Sequence, residues 1–167
     1  MNVKRKQEKR YNPFYGLLAA KLCSFNHNFK YTFQLNFWDR FKALGEYSAH
    51  KVSNLAQLLA DLLSSRALSF TVFKTVDFTV LVNPVDIAFF RMVFTSTLLK
   101  TPEVAILQFK GFASREDKRP LCDSLLLMIQ KGMKKLDSLI DNPADLKKIR
   151  DTLKILKSIL GRSLYGF

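Results

Sequence analysis

Two histidines, two cysteines and 14 acidic side chains are the groups in this sequence that could transfer protons, attack a carbonyl or hold a metal ion. Neither G-x-S-x-G nor H-E-x-x-H occurs, so His27 and His50 lie in no nucleophile or zinc-protease motif and read as surface or cap histidines. Two histidines and two cysteines lack the paired spacings of a zinc site, and no metal or cofactor is expected. The six glycines are scattered and none precedes Lys-Ser or Lys-Thr, so no phosphate loop is present in the sequence. Glu116-Asp117 falls in a basic connector and reads as solvated charge. No catalytic residue is therefore assigned, and an enzyme is not expected.

The chemistry that the sequence does favour is charge neutralisation. The chain has 27 Lys and Arg against 14 Asp and Glu, a formal charge of +13. Lys4, Arg5, Lys6, Lys9 and Arg10 cluster at one end; Lys131, Lys134, Lys135, Lys147, Lys148, Arg150, Lys154, Lys157 and Arg162 cluster near the other. Such patches suit a polyanion, RNA first, through phosphates and without reading sequence. Among them Lys4, Arg5, Lys6, Lys9, Arg10, Lys147, Lys148, Arg150 and Lys154 are the candidate RNA contacts. The bland alternative for each patch is a solubilising helix face. No sheet with stacking aromatics and no helix-turn-helix signature accompanies them.

Helices must position these groups. Glycine and proline are too scarce (6 and 5 in 167 residues) for the many tight turns of a sandwich or barrel. Asn12 and Pro13 read as N-cap and first helical residue, after which Phe14, Leu17, Leu18, Leu22 and Phe25 form one apolar stripe. Phe29, Phe33, Phe37 and Phe41 continue at four-residue spacing to Leu44, with Tyr31, Leu35 and Trp38 as a second flank. These rings read as core covered on more than one side, with Gly45 as the C-cap and with Asp39 and Arg40 holding the helix pair together. Val52, Leu55, Leu59 and Leu62 make the next stripe, capped by Ser48 or Ser53. Leu68, Val72, Phe73 and Val76 predict a short helix despite their strand propensity, because a lone strand would have no partner. A loop then ends at Pro84. Ile87, Phe90, Val93, Phe94 and Leu98 share a face; Thr101-Pro102 breaks this helix and opens another. Pro120 opens a helix predicted through residue 140, and Asn142-Pro143 precedes a last one striped by Leu146, Ile149, Leu153, Leu156 and Leu160.

The expected fold is all-α: seven or eight helices in stacked antiparallel pairs, a HEAT-like α-solenoid. Its expected organisation is a basic linker arm over residues 1–10, a helical domain over 11–132 and a lysine-rich helical extension over 133–167. The beginning inside a charge run is that expected of a piece of a longer chain. Cys23 and Cys122 fall in apolar helical patterns, so buried free thiols in a reducing compartment are expected. No apolar stretch approaches the ~20 residues of a membrane span.

In order and spacing, "YNPFYGLLAAKLC", "FKYTFQLNFWDRF" and "VSNLAQLLADLLSSRALSFTVFKTVDF" resemble the MI domain, or MA-three module, in the version carried by the nucleolar 4G-middle-domain (suppressor-of-glycerol-defect) family. The resemblance covers residues 9 to about 100 and fades to helical pattern by 130. It implies stacked helix pairs and a non-catalytic adaptor of small-subunit ribosome biogenesis and pre-rRNA processing in the nucleolus. Implied partners are pre-ribosomal proteins and rRNA, a DEAD-box RNA helicase, and an upstream 4G-middle domain in the same chain. The helicase-binding loop of such domains corresponds to "VDFTVLVNPVD", which makes Asp77, Phe78, Pro84 and Asp86 the candidate partner contacts. Val82 departs from the pattern, since the nucleolar family commonly has an aspartate there; this removes one charge-assisted contact. A splicing-factor MI domain of the Cwc-twenty-two type, sharing "FYGLL" and the cysteine, is the alternative. Another is a translation regulator that sequesters an initiation-factor-4A-type helicase.

Overall fold

A computed structural model describes residues 10–80 and 83–164, with side chains through 161. Its seven α-helices are α1 (Pro13–Phe25), α2 (Asn28–Phe41), α3 (Ala49–Ser64), α4 (Pro84–Lys100), α5 (Pro102–Ala113), α6 (Arg119–Leu127) and α7 (Pro143–Leu164). All five prolines sit in a first helical turn, where the fixed φ suits the helix and the missing N–H is no loss. Four caps complete these starts. Asn12 accepts from the Phe14 N–H (3.0 Å), Ser48 from Lys51 (3.3 Å), Asn83 from Val85 (2.9 Å) and Asn142 from Ala144 (2.9 Å). Among the described residues there is no strand, and the helices stack on one another as the periodicity predicts. No described helix is long and apolar enough to cross a membrane.

The core centres on the segment between α3 and α4. Residues Phe70–Thr75 form a 3-10 turn rather than an α-helix, started by the Ser69 hydroxyl accepting from Thr71 N–H at 3.2 Å. Three residues per turn align Phe70 over Phe73. The Phe73 ring, fully buried, meets the rings of Phe41, Phe70, Phe78, Phe90 and Phe94 at centroid separations of 5.5 to 6.4 Å. α7 packs across α5 and α6, and Ile149, Leu153, Leu156 and Leu160 join the same core. Cys23 and Cys122 are buried free thiols, raised in pKa by burial.

Five expectations fail. The apolar stripe of α1 is not core: Phe14, Leu17, Leu18 and Phe25 are exposed, Leu17 by 71% and Phe25 by 86%. α1 instead buries Gly16, Ala19 and Cys23 against α3. A Cβ at Gly16 would lie 2.6 Å from an oxygen of Asp61 and 2.7 Å from the Tyr11 hydroxyl, so the small face permits the close approach. That Tyr11 hydroxyl donates to Asp61, whose other oxygen pairs with Lys100, tying the start of α1 to the ends of α3 and α4. Burial, reinforced by Asp61, lifts the Tyr11 phenol well above its ordinary pKa.

In α2, Phe37 is buried and Phe29, Phe33 and Phe41 pack at its margin, but Tyr31 and Leu35 on the second flank are exposed. Trp38 alone of that flank is anchored, its indole N–H donating to Val72 C=O at 2.9 Å. Asp39 and Arg40 hold nothing together across the pair: Asp39 sits 3.7 Å from Lys42 and Arg40 donates to Asn36, both locally. Gly45 is not a C-cap; α2 ends at Phe41 and Gly45 lies inside the 3-10 turn Leu44–Glu46. The helix predicted to run to 140 leaves α geometry at Met128, passes through a π turn to Gly132, and reverses at Lys135 with φ 56°. Arg91 stabilises that departure by donating to Gly132 C=O at 2.7 Å.

These assignments separate two kinds of large apolar residue. Phe73→Ala should cost about 3–5 kcal/mol in chemical unfolding, as a ring with five ring neighbours is replaced by a cavity. Leu17→Ser should fall within about 0.5 kcal/mol of the parent chain in the same titration.

Candidate protein and nucleic-acid interfaces

The loop carrying the acidic candidates is pinned from three sides. Trp38 holds Val72, Ser124 donates to Val76 C=O at 3.1 Å, and the Phe70 N–H donates to Gln108 at 3.0 Å. Phe78 is 5% exposed, its ring 5.1 Å from that of Phe90, so it anchors the loop from beneath. Asp77 is exposed and accepts from the N–H of Thr79 at 2.9 Å and from its hydroxyl, closing an Asx turn rather than capping a helix. These bonds, the hydroxyl foremost, hold its carboxyl below the usual range. Pro84 is exposed at the first position of α4, and Asp86 is half-buried in the same turn. Burial raises the Asp86 carboxyl. Val82 lies outside the described residues.

The structure brings Asp77 and Asp86 to one cleft of about 200 Å³, beside Trp38, Phe41, Lys42 and Val80. The other side of the loop borders a cleft of about 430 Å³, where Asp77 meets Lys74, Lys118 and Asp123. One Asp123 oxygen there is buried with no hydrogen-bond partner. Sequence reading missed Lys42, Lys74, Lys118 and Asp123 because they converge from different elements. Lys74 stands 4.9 Å over the half-buried Trp38 ring.

The basic candidates divide. Lys4, Arg5, Lys6 and Lys9 lie outside the described residues, and Arg10 is exposed just before α1. Lys147 and Lys154 are exposed on α7. Lys148 instead donates to Leu99 C=O at 2.7 Å, satisfying a carbonyl at the end of α4, and Arg150 pairs with Asp137. Lys135, Arg150, Lys154 and Lys157 nevertheless border one shallow cleft of about 200 Å³, with Asp137 at its rim. His27 and His50 are exposed, His27 edge-on to Tyr31 at 5.2 Å. Asp117 is paired with Arg115 at 2.8 Å rather than simply solvated. Among the described residues no three His, Cys, Asp or Glu side chains are grouped to hold a metal ion.

The described residues thus form a stacked helical scaffold with an acidic loop at one place and a lysine-covered helix at another, and residues 2–69 match the MA3 domain family. The chain resembles that family over its first three helices. Within that class it is similar to Nucleolar MIF4G domain-containing protein 1 of Mus musculus, 43% identical over 97 residues, covering 58% of this chain and 11% of that protein. It is also similar to Suppressor of glycerol defect protein 1 of Schizosaccharomyces pombe, 40% identical over 100 residues, 55% of this chain and 13% of that protein. Similarity to the pre-mRNA-splicing factor cwf22 of the same yeast is lower, 27% over 73 residues, 44% of this chain and 8% of that protein. The chain thus spans about one ninth of the length of the nucleolar relative from mouse.

The raised Asp86 carboxyl has a stability consequence of definite sign. A folded-state pKa above the unfolded value means that ionised Asp86 opposes folding at neutral pH, and that this cost disappears as pH falls below the ordinary aspartate value of 3.8. Asp86→Asn should therefore be slightly more stable than the parent at pH 7, by at most about 1 kcal/mol. The advantage should shrink toward zero near pH 3, as read from denaturant midpoints across pH.

Proposed function

We propose that this chain is the non-catalytic adaptor module of a nucleolar small-subunit ribosome biogenesis factor acting in pre-rRNA processing. The observation that carries this reading is the similarity over 97 residues to a relative named Nucleolar MIF4G domain-containing protein 1, joined to an MA3 match over residues 2–69. The module docks protein partners through its helical faces and rRNA through its basic ends. A nuclear, nucleolar location and an upstream 4G-middle domain in the same chain belong to this proposal, and the name of the mouse relative supports them. A DEAD-box RNA helicase is the proposed partner of the Asp77–Asp86 loop: Asp77, Pro84 and Asp86 would face its basic surface, with Phe78 holding the loop in place. Each desolvated charge-assisted contact of this kind contributes about 1–3 kcal/mol.

For RNA, Lys147 and Lys154 are the foremost contacts, with Arg10 and the arm residues Lys4, Arg5, Lys6 and Lys9 at the other end. Lys148 and Arg150 have internal partners and contribute less. A splicing role rests on the lower similarity to cwf22. Co-purification in low and high salt separates the two, since recovery of spliceosomal instead of pre-ribosomal RNA rejects the ribosomal assignment. In filter binding to single-stranded RNA, Lys147→Glu with Lys154→Glu should lower the log–log salt slope by about 1 per lost phosphate contact, without moving the unfolding midpoint. Unchanged binding would make these lysines solvent coating.

A further inference from the structure

The first helix presents two faces of opposite character. Gly16, Ala19 and Cys23 point inward, while Phe14, Leu17, Leu18 and Phe25 occupy an arc of about 100° on the outward side. Residues at i, i+3, i+4 and i+11 are the spacing of a helix seam, here meeting solvent. α1 packs chiefly on α3 and α2 and so stands at one end of the stack. A stacked helical array ends stably on a polar outer face. This end is instead covered by large apolar side chains, Phe14 being 59% exposed, so the array is built to be continued.

Charge indicates what continues it. Lys21, exposed, falls in the middle of the same arc, with Arg10 exposed and Lys30 half-buried nearby in the chain. From residue 10 to residue 38 the sequence contains no Asp or Glu. Asp61 of α3 meets this helix on its inner side, beside Gly16 and Tyr11. An apolar strip whose own chain segment carries cations and no carboxylate disfavours a second copy of itself and favours a carboxylate-bearing partner.

We propose that the outer face of α1 is a docking site for an amphipathic helix that carries acidic residues beside its apolar stripe, laid against α1 as the next helix of the stack. The site is distinct from the acidic loop and from the lysines of α7. It extends the protein-docking part of the reading above and stands if RNA association fails.

The test is selection of a helix-biased random peptide library against the 167-residue chain, with counter-selection against the doubly substituted Leu17→Ser, Phe25→Ser chain. Both substituted residues are exposed, and circular dichroism with the chemical-unfolding midpoint verifies the fold. The expected winners carry apolar residues at i, i+3 or i+4 and i+7, with Asp and Glu enriched alongside. Their affinity should fall at least tenfold in the double variant and severalfold in Lys21→Glu, while RNA binding stays unchanged. No enrichment, winners without acidic residues, or equal binding to the double variant would overturn the proposal. So would a dimer of the parent chain that dissociates on Leu17→Ser, Phe25→Ser, or cosedimentation with phosphatidylserine vesicles lost in that variant, which would assign the face to a second copy or to a lipid surface.

Discussion

The burial of the Phe73 ring is the constraint on which the rest of the scaffold depends. Five other rings close around it from α2, the 3-10 turn, the following loop and α4. Offset and edge-to-face aromatic contacts are each worth a fraction to about 1.5 kcal/mol beyond their burial. Their geometry is also specific, so they fix relative positions as well as stabilising them. An α-helix at Phe70–Thr75 would set Phe70 and Phe73 about 60° apart around the axis; the tighter turn keeps them in line. Because Phe78 belongs to the same cluster, the loop that displays Asp77 is held by the core itself.

That coupling keeps the loop proposed to meet a partner from being loose. Asp77 is exposed, but the backbone on either side is fixed by Ser124 and by the buried Phe78 ring. A carboxylate presented in this manner loses little conformational freedom when a partner arrives. Asp86 differs in kind: partly desolvated already, it gives up less hydration on binding and holds its proton more tightly than Asp77 does. The lysines of α7 follow the opposite logic. Exposed on one helix face, they suit a flexible polyanion whose phosphates need no particular register.

Much of the fold was legible because it depends on short-range rules. Pro and Asn or Ser side chains marked helix starts, and the stripes of α3, α4 and α7 repeated over enough turns to leave no competing period. The stripe of α1 was equally clear and pointed outward. Periodicity measures segregation of apolar residues on one face; it carries no information on whether that face meets this chain's core or something else. The inner face was visible only at Cys23, because Gly16 and Ala19 have too little side chain to register as a packing surface. Their contribution is close approach, and that is defined only once Asp61 and Tyr11 are in place.

The candidate sites show the same division. Asp77, Pro84 and Asp86 were identifiable from a local resemblance, since they share one short segment. Lys42 beside Asp86, and Lys74 and Lys118 with the half-hidden Asp123, were not, because each comes from a separate element. The sequence by itself determined an all-helical chain, its helix starts, its positive charge and the absence of familiar catalytic motifs, all properties of neighbours along the backbone. Tertiary structure alone decided that α1 wears its large side chains outward, that Lys148 and Arg150 are engaged internally, and which charges share a cleft. These outcomes depend on competition among distant groups for a limited buried volume, which no local pattern records.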